Sequence, residues 1–158
     1  MANRLRDRIV LVTGSTTGVG EATARLCVEE GARVMIHGLE QDLAESVCAE
    51  LGKENTGYII ADVGEAENCA KVVAATVERF GGIDAVVNNA ASVARSNLET
   101  TSAAFFDRMI AINLRAPMLI LKAALPEFRK RGGGVVVNIG SINGLAGGAN
   151  LLDYSMSK

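Results

Sequence analysis

The stretch TGSTTGVG, residues Thr13–Gly20, joins a short apolar run to a helical pattern. The run before it, Ile9–Val12, is rich in β-branched residues and predicts a strand. The segment after it, Glu21–Val28, places apolar residues at helical spacing. A strand, a glycine turn and a helix together present backbone N–H groups and a helix N-terminus to a phosphate. The stretch therefore predicts a phosphate-binding turn near the start of the chain.

The three glycines of this stretch suit different tasks. Gly14 allows a tight turn, Gly18 allows the backbone to approach a pyrophosphate, and Gly20 allows the helix to pack closely on the strand. Their spacing is GxxxGxG rather than the more common GxGxxG. Taken alone, such a turn fits a purely structural role as well as a nucleotide site.

Short β-branched runs alternate with longer helical patterns along the chain. Strands are expected at residues 9–12, 33–37, 56–61, 85–88 and 135–139. Helices are expected at residues 18–30, 40–51, 65–80 and 102–130, and Pro117 is expected to kink or divide the last of them. Runs that are apolar without alternation suit a parallel sheet covered on both faces. The sequence thus predicts an α/β fold with a doubly wound parallel sheet, forming a single domain over residues 1–158.

Composition narrows the class of protein. The chain has 158 residues, 49% of them hydrophobic, and a formal net charge of −2, which is typical of one globular domain without nucleic-acid or membrane partners. We expect no apolar run to approach the length of a membrane span, and we expect a cytoplasmic location. Cys27, Cys48 and Cys69 have no metal-ligand spacing, so we expect packed, reduced thiols and no metal site.

Polar and glycine-rich residues collect just after each predicted strand. In a doubly wound sheet, ligands bind beyond the carboxyl ends of the strands. The segments at these ends are Thr13–Gly20, Gly38–Glu40, Asp62–Val63, Asn88–Ala91 and Gly140–Ser141. Their coincidence at one edge favours a nucleotide cofactor over a purely structural turn.

The last five residues add a candidate proton-transfer pair. Tyr154 and Lys158 are four residues apart, which places a phenol and an ammonium on one face of a helix. A phenol with its ordinary pKa of about 10 is a poor base at neutral pH, and a nearby cation favours the phenolate. Tyr154 is therefore a candidate general acid towards a developing alkoxide, and Ser141 could hydrogen-bond the same oxygen. A surface helix also produces such a pair by chance.

Together these residues resemble the short-chain dehydrogenase/reductase family, in the branch whose glycine motif is TGxxxGxG. The matching features follow the family's order: Thr13–Gly20, Asp62, Asn88-Asn89-Ala90, Asn113, and Ser141 thirteen residues before Tyr154 with Lys158 four further on. Ala91 departs from the glycine that the family usually has there. The resemblance covers the whole chain and implies a Rossmann-type fold in which about five of the family's seven strands are present.

The resemblance implies an oxidoreductase that moves a hydride between a nicotinamide cofactor, NAD or NADP, and a secondary alcohol or ketone substrate. It implies that the glycine turn holds the pyrophosphate, that Asp62 and Val63 contact the adenine, and that Asn113 holds a proton-relaying water. The implied catalytic residues are Asn113, Ser141, Tyr154 and Lys158. The implied cofactor-binding residues are Gly14, Ser15, Thr17, Gly18, Val19, Gly20, Gly38, Leu39, Asp62, Val63, Asn88, Ala90, Tyr154 and Lys158.

Simpler roles stay open for some of these residues. Asn88 and Asn89 also fit turn positions, Asp62 fits a helix cap, and Asn113 fits a mid-helix residue bonded to backbone. His37, the only histidine, is expected to be structural rather than a phosphate ligand.

The choice between NAD and NADP rests on the end of the second strand. Family members that use NAD usually have an acidic residue where this chain has Gly38, and members that use NADP usually have a basic residue just after it or within the glycine turn. Neither pattern is present, and Glu40 is the charged residue nearby. Because a 2′-phosphate requires a cation, the sequence leans slightly to NAD.

Family members run to roughly 250 residues, so we expect the sequence given to lack the C-terminal segment that shapes the substrate pocket. The resemblance also implies a homo-oligomer, commonly a tetramer. Phe105, Phe106, Met109 and Ile112 lie at helical spacing and fit either such a contact or the core. The rival hypotheses are a non-catalytic dinucleotide-binding or interaction domain and an inactive truncated fragment.

Overall fold

The computed structural model describes residues 3–158, and its centre is one sheet of five parallel strands. The strands are β1 (Ile9–Val12), β2 (Arg33–Gly38), β3 (Thr56–Ile60), β4 (Ala85–Asn88) and β5 (Val135–Asn138). Their order across the sheet is β3-β2-β1-β4-β5, and every neighbouring pair is parallel. The predicted doubly wound parallel sheet is confirmed, and each predicted strand agrees with the structure to within one residue.

Helices connect and cover the strands. They are α1 (Gly18–Glu29), α2 (Gln41–Leu51), α3 (Ala66–Phe80), α4 (Ala103–Ile110), α5 (Ala116–Lys130), α6 (Asn143–Ala146) and α7 (Leu152–Ser157). The chain leaves β1 towards β2 on one side and later returns to place β4 on its other side. The strand order therefore reverses between β1 and β4, and ligands bind at such a reversal in doubly wound sheets.

The core lies on both faces of the sheet. Ile9 and Leu11 point into a cluster with α3 and α5, whereas Val10 and Val12 point into a second cluster with α1 and α2. Alternate side chains of a strand point to opposite faces, so a strand covered on both sides is apolar at every position. Burying each of these side chains contributes about 1.5–3 kcal/mol to the free energy of unfolding.

The helix before β5 is divided, but not by Pro117 itself. A π-helical segment, Ala111–Arg115, separates α4 from α5, and Pro117 lies in the first turn of α5. Proline has no N–H and its ring crowds the carbonyl four residues earlier, which here belongs to Asn113. A wider turn just before the proline relieves that crowding. The predicted division is therefore correct, and its position is shifted.

The expectation that no apolar segment approaches the length of a membrane span needs correction. The helical stretch Ala103–Lys130 is 28 residues long with a mean hydropathy of 1.4 in its most apolar window, enough by length and composition to cross a membrane. Ile120, Ala124 and Phe128 on this helix are buried in the core cluster that contains α3. Core helices of globular domains often have such a composition, so the segment is weak support for a membrane span.

Asp84 fastens the amino ends of the strands to the end of α5. Its carboxylate accepts the Ile9 N–H at 2.8 Å and binds the Arg131 guanidinium through Nε at 2.7 Å and Nη2 at 3.0 Å. Burial raises the pKa of this carboxyl, but the bonds from Arg131 and Ile9 lower the pKa more, to below its usual value. The ion pair lies at the opposite edge of the sheet from the segments singled out by the sequence.

β5, one of the two edge strands of the sheet, is apolar and partly exposed. Val135, Val136 and Val137 retain 60%, 38% and 44% of their accessible surface.

Cys27, Cys48 and Cys69 are free thiols, half-buried or buried, as predicted. Burial raises the pKa of all three thiols.

Candidate active site

A cleft of about 720 Å³ lies at the carboxyl edge of the sheet, where the strand order reverses. This volume is in the range of cofactor and substrate sites. The predicted site residues that line it are Gly14, Thr17, Gly18, Val19, Gly20, Gly38, Leu39, Asp62, Val63, Ala90, Tyr154 and Lys158. With Ile139 and Gly140, which follow β5, residues from all five strand ends and from α7 meet at one cleft.

The glycine turn requires two of its glycines for geometric reasons. Gly14 has a φ of +61°, and a β-carbon there would lie 2.9 Å from the Cα of Ala90. At Gly20 a β-carbon would collide with the Gly14 carbonyl oxygen and the Asn89 amide nitrogen. The turn therefore packs directly against the exit of β4, which any larger side chain would prevent.

The amino end of α1 faces the cleft with free backbone donors. The first N–H groups of a helix have no partner within the helix, and here they belong to Gly18, Val19 and Gly20. Thr17 occupies the N-cap position, and its side chain makes no capping hydrogen bond. These N–H groups and the helix dipole form a site for an anion such as a phosphate.

Thr13 and Asn89 hold the glycine turn in place, and neither was among the catalytic and cofactor-binding residues that the resemblance implied. The Thr13 hydroxyl accepts hydrogen bonds from the N–H groups of Asn89 and Ala90, both at 3.0 Å. The Asn89 side-chain amide donates to the carbonyls of Thr13 and Gly14, both at 2.9 Å. These contacts span 75 or more residues of sequence, so no local pattern reveals them.

His37 is buried, and its ring links the turn after β1 to the residue that follows β3 through two hydrogen bonds. Its Nδ1 lies 3.1 Å from the Gly14 nitrogen, which can only donate, so Nδ1 is the acceptor and carries no proton. The proton lies on Nε2, which donates to the Ala61 carbonyl at 2.9 Å. Burial lowers the pKa of His37, although the bond to Ala61 and the charge of Asp62 oppose this effect. The expected structural role for this histidine agrees with these contacts.

Asp62 does not cap the helix that follows it. The N-cap of α3 is Glu65, and the Asp62 carboxylate instead accepts the Gly64 N–H at 2.8 Å through Oδ1. Its Oδ2 is bound by the guanidinium of Arg108 on α4. Burial raises the pKa of the Asp62 carboxyl, but Arg108 and the Gly64 N–H lower the pKa more, to below its usual value.

Tyr154 and Lys158 lie on one face of the segment that begins with α7. The Lys158 Nζ is 5.9 Å from the centre of the Tyr154 ring and donates to the Ile139 carbonyl at 2.8 Å. That bond anchors the ammonium at the exit of β5. Ser141 follows the same strand, and its Oγ accepts the Asn143 N–H at 3.2 Å, which leaves its O–H proton available to donate elsewhere.

Asn113 lies at the centre of the π-helical segment with its side chain fully engaged. Its Nδ2 donates to the Ser92 carbonyl at 2.9 Å and to the Ser157 Oγ at 2.8 Å, and its Oδ1 accepts the Ser92 N–H at 2.8 Å. Asn113 thereby joins α4 and α5 to the loop after β4 and to the helix that carries Tyr154. These contacts fit the alternative that the sequence left open, in which Asn113 is a mid-helix residue bonded to backbone.

Four predicted site residues do not line the main cleft: Ser15, Asn88, Asn113 and Ser141. Ser15 is buried, and its hydroxyl donates to the Val12 carbonyl at 2.7 Å. Asn88 donates to the Asn138 side chain at 2.8 Å, and its own Oδ1 is buried without a partner among the described residues. Asn88 and Asn113 line a second cavity of about 390 Å³, which also reaches Lys158.

Several residues that line the main cleft were not among the catalytic and cofactor-binding residues that the resemblance implied, although some of them lie in the strand-end segments expected at the ligand edge. They are Thr16, His37, Glu40, Ala61, Asn89, Ala91, Ser92, Val93, Arg108, Ile112, Ile139 and Gly140. Most of them are direct neighbours in sequence of predicted residues. Arg108 and Ile112 come from a helix, and only the folded chain brings them to the strand ends.

A hollow of about 810 Å³ lies elsewhere, between α2 and β3. Several of its polar groups are already engaged, since the Tyr58 hydroxyl donates to Glu45 at 2.8 Å and Arg79 donates to the carbonyls of Lys53 and Thr56. The hollow contains no residue of the glycine turn. The cleft at the strand ends is therefore the better candidate site.

Comparison with known proteins agrees with this choice. Residues 8–158 match a family model described as short chain dehydrogenase. The chain is 38% identical over 156 residues to an uncharacterised oxidoreductase of Thermotoga maritima, covering 97% of this chain and 61% of that protein. It is 36% identical to 2,5-dichloro-2,5-cyclohexadiene-1,4-diol dehydrogenase LinX of Sphingobium indicum, covering all of this chain and 64% of that protein.

Solved structures show the same likeness. A short-chain dehydrogenase from Streptomyces avermitilis superposes with a TM-score of 0.89 at 30% identity, over 96% of this chain and 56% of that one. The NADH-dependent reductase A1-R′, solved in complex with NAD, superposes with a TM-score of 0.88 at 34% identity, over 100% of this chain and 70% of that one. The chain spans 61–64% of the length of the two curated relatives named above.

Proposed function

The chain belongs to the short chain dehydrogenase family, and we propose that it is part of an NAD(P)-dependent oxidoreductase that interconverts a secondary alcohol and a ketone. The observation that carries the proposal is that Tyr154 and Lys158 line the same cleft as the glycine turn. A relative 36% identical to this chain is named a diol dehydrogenase, which supports an alcohol as the substrate class. We further propose that residues 1–158 form one dinucleotide-binding domain.

The residues of the cleft fit a dinucleotide. The free N–H groups at the start of α1 suit a pyrophosphate, and the close packing of Gly14 and Gly20 leaves the turn's backbone open to it. Asp62 and Val63 would contact the adenine, and Gly38 with Leu39 would border its ribose. The cofactor, when bound, supplies the hydride chemistry, and the protein supplies alignment and proton transfer.

Tyr154 is the proposed proton donor to the carbonyl oxygen of the substrate, and the proton acceptor in the reverse direction. Lys158 is held beside the Tyr154 ring by its bond to Ile139, and in this proposal it supports proton transfer at the Tyr154 hydroxyl. Ser141 has an O–H proton available and would hydrogen-bond the same substrate oxygen. Lys158 would also bind the ribose next to the nicotinamide.

The proposed proton path leads from Lys158 into the second cavity. The side chain of Asn113 is engaged with Ser92 and Ser157, so its backbone carbonyl is the group available to hold a water molecule. That carbonyl lacks its usual α-helical donor because Pro117 has no N–H. Asn88, whose Oδ1 has no partner among the described residues, lines the same cavity with Asn138 and Lys158, and the cavity is large enough for water.

NAD is the proposed cofactor in preference to NADP. The Thr16 side chain covers Gly38, where a β-carbon would collide with it, and the exposed Glu40 follows two residues later. Arg108, a cation that lines the cleft, is already paired with Asp62 and Glu65. A 2′-phosphate would therefore meet a carboxylate at the end of β2 rather than a free cation.

A homo-oligomer is proposed as well. Met109 is buried, and Phe105, Phe106 and Ile112 are half-buried, so the core accounts for part of this stripe. Leu114, Met118 and Leu125 on the same helical stretch are exposed at 57%, 54% and 45%. An exposed apolar stripe on a long helix is a suitable contact between copies. Sedimentation velocity of the purified chain measures this directly.

The test of the proposed function is turnover of NADH with a panel of cyclic and open-chain ketones. Tyr154→Phe removes only the hydroxyl, and we expect it to lower kcat by about 100-fold or more, the usual contribution of a general acid. It should leave the dissociation constant of NADH unchanged within about twofold, because the hydroxyl is not needed for the pyrophosphate contacts.

The matched control is Tyr58→Phe, since Tyr58 is the other of the two tyrosines and bonds Glu45 away from the cleft. It should turn over like the wild type. NADH binding without turnover in any variant or substrate would instead support the rival hypothesis of a non-catalytic dinucleotide-binding domain. Equal turnover of Tyr154→Phe and wild type would contradict the role given to Tyr154.

A further inference from the structure

The loop between β3 and α3 is held by two arginines from the helical stretch that contains Asn113. Arg108 binds the Asp62 carboxylate and lies 3.7 Å from a carboxylate oxygen of Glu65. Arg115, seven residues further on, donates to the Gly64 carbonyl at 2.5 Å. Neither arginine is part of the residue pattern that suggested the site, and both contacts span more than 40 residues of sequence.

Gly64 shows how closely the guanidinium of Arg108 approaches the loop. A β-carbon at Gly64 would collide with Nη1 of Arg108 and would lie 3.0 Å from Oδ1 of Asp62. The Gly64 N–H itself donates to that Oδ1. The loop backbone, the carboxylate and the guanidinium thus form one packed unit at the wall of the cleft.

The Asp62 carboxylate has capacity left for a ligand. An ionised carboxylate accepts about four hydrogen bonds, and Gly64 and Arg108 account for two of them. Since both of its oxygens are already bound, the group cannot rotate freely, and its remaining acceptor sites have fixed directions. Side chains of Asp62 and Arg108 retain 35% and 42% of their accessible surface, so the unit is open to the cleft.

We propose that Arg108 is a positioning residue for the adenosine half of the cofactor, holding Asp62 as an oriented acceptor and offsetting the negative charge of the carboxylates there. This inference rests on the proposed function. Arg108 acts through Asp62 and does not touch the reacting atoms. The positive charge also matters because the Asp62 carboxylate lines the cleft that would hold an anionic dinucleotide.

Binding of NADH and of reduced nicotinamide mononucleotide, which lacks the adenosine half, separates this role from general damage. Arg108→Met should raise the dissociation constant of NADH about three- to tenfold, a modest factor because the ion pair is partly exposed. It should leave binding of the mononucleotide unchanged. Arg108→Lys, which keeps the charge and loses the planar fork, should recover part of the loss.

The matched control is Arg25→Met, which removes an arginine that pairs with Glu21 and Glu50 outside the cleft. It should bind NADH like the wild type. Asp62→Asn should itself weaken NADH binding, and adding Arg108→Met to it should weaken binding little further, because the arginine acts through that carboxylate. Additive effects of the two substitutions would overturn the proposal.

The pH dependence of NADH affinity gives a readout that simple loss of packing would not change. The groups facing Asp62 are Arg108 from α4, His37 from β2 and Glu65 from its own loop. Arg108 helps to lower the pKa of Asp62, so the carboxylate stays ionised to lower pH while Arg108 is present. In Arg108→Met the affinity should begin to fall at a higher pH than in the wild type.

The possible outcomes are distinct. Loss of NADH binding with retained mononucleotide binding, partial rescue by lysine and a shifted acid limb would support the role of Arg108. Unchanged NADH binding in Arg108→Met, or equal loss for both ligands, would overturn it while leaving the proposed function intact. Absence of nicotinamide binding by the wild type would overturn the proposed function and this inference together.

Discussion

Acidification tests the two hydrogen bonds of the His37 ring, because His37 is the chain's only histidine. Among side chains at their ordinary pKa values, histidine alone titrates between about pH 5 and 8. The folded protein needs the neutral ring, since Nδ1 must accept the Gly14 N–H. A proton on Nδ1 would replace that hydrogen bond with two opposed N–H donors and place a charge in a site that is 2% exposed.

The sign and size of the effect follow from linkage. The pKa of His37 is lowered in the folded state, mainly by burial, so the unfolded chain binds the proton first. The free energy of unfolding should be constant well above pH 6.5, the ordinary pKa, and should fall below it. The slope is at most about 1.4 kcal/mol per pH unit until the folded-state pKa is reached.

Urea denaturation at pH 7.5, 6.5 and 5.5 measures this loss, with His37→Asn as the comparison. Asparagine can keep an acceptor for Gly14 but takes up no proton in this range. At pH 7.5 it should cost about 1–2 kcal/mol because the Ala61 carbonyl loses its donor. Its stability should then stay level down to pH 5.5, where carboxylates with ordinary pKa values near 4 still contribute little.

Two results would refute this reasoning. One is a wild-type stability that does not change between pH 7.5 and 5.5. The other is a His37→Asn variant whose stability falls with the same slope as the wild type, which would place the titrating group elsewhere. A parallel loss of NADH affinity on acidification would indicate that the hydrogen bond from Gly14 to His37 supports the glycine turn.

Two further predictions concern single contacts. Asp84→Ala should lower the free energy of unfolding by about 2–4 kcal/mol, since it leaves the buried Ile9 N–H and Arg131 unpaired. Urea denaturation measures this loss, and the control Asp107→Ala, on the exposed face of α4, should change the free energy of unfolding by less than about 0.5 kcal/mol. Gly20→Ala should abolish NADH binding and lower the melting temperature, because its methyl group collides with the Gly14 carbonyl. The control Gly140→Ala, whose methyl group meets open space, should melt at the same temperature as the wild type. Equal melting temperatures of the two variants would contradict the packing assigned to Gly20.

The sheet was predictable because its strands are short, continuous β-branched runs bounded by glycine or polar residues. Val135–Asn138 forms a strand although its valines are exposed, which shows how strongly local composition specified it. Gly14 could be assigned to the site because it follows a strand end at the carboxyl edge of a parallel sheet. Tyr154, which lies in α7, was assigned to the same site through the resemblance to the short-chain dehydrogenase/reductase family. The position of the cleft follows from the same alternation of strands and helices.

Contacts between distant segments were not predictable in this way. Arg108 reads in the sequence as an exposed helical charge, and only the folded chain places it on Asp62. Asn88 and Asn89 read alike, yet one faces Asn138 and the other holds the glycine turn. The direction of each side chain depends on the alternation at the end of β4, and a single residue of uncertainty reverses it.

The location of the dinucleotide site is the central claim, and NADH titration followed by amide NMR tests it most directly. The account predicts that shifts concentrate at Gly14–Gly20, at Gly38–Leu39, at Asp62–Val63 and near Tyr154, with the largest at the free N–H groups of α1. Shifts confined to the hollow between α2 and β3, or no shifts at NADH concentrations that saturate family members, would contradict it.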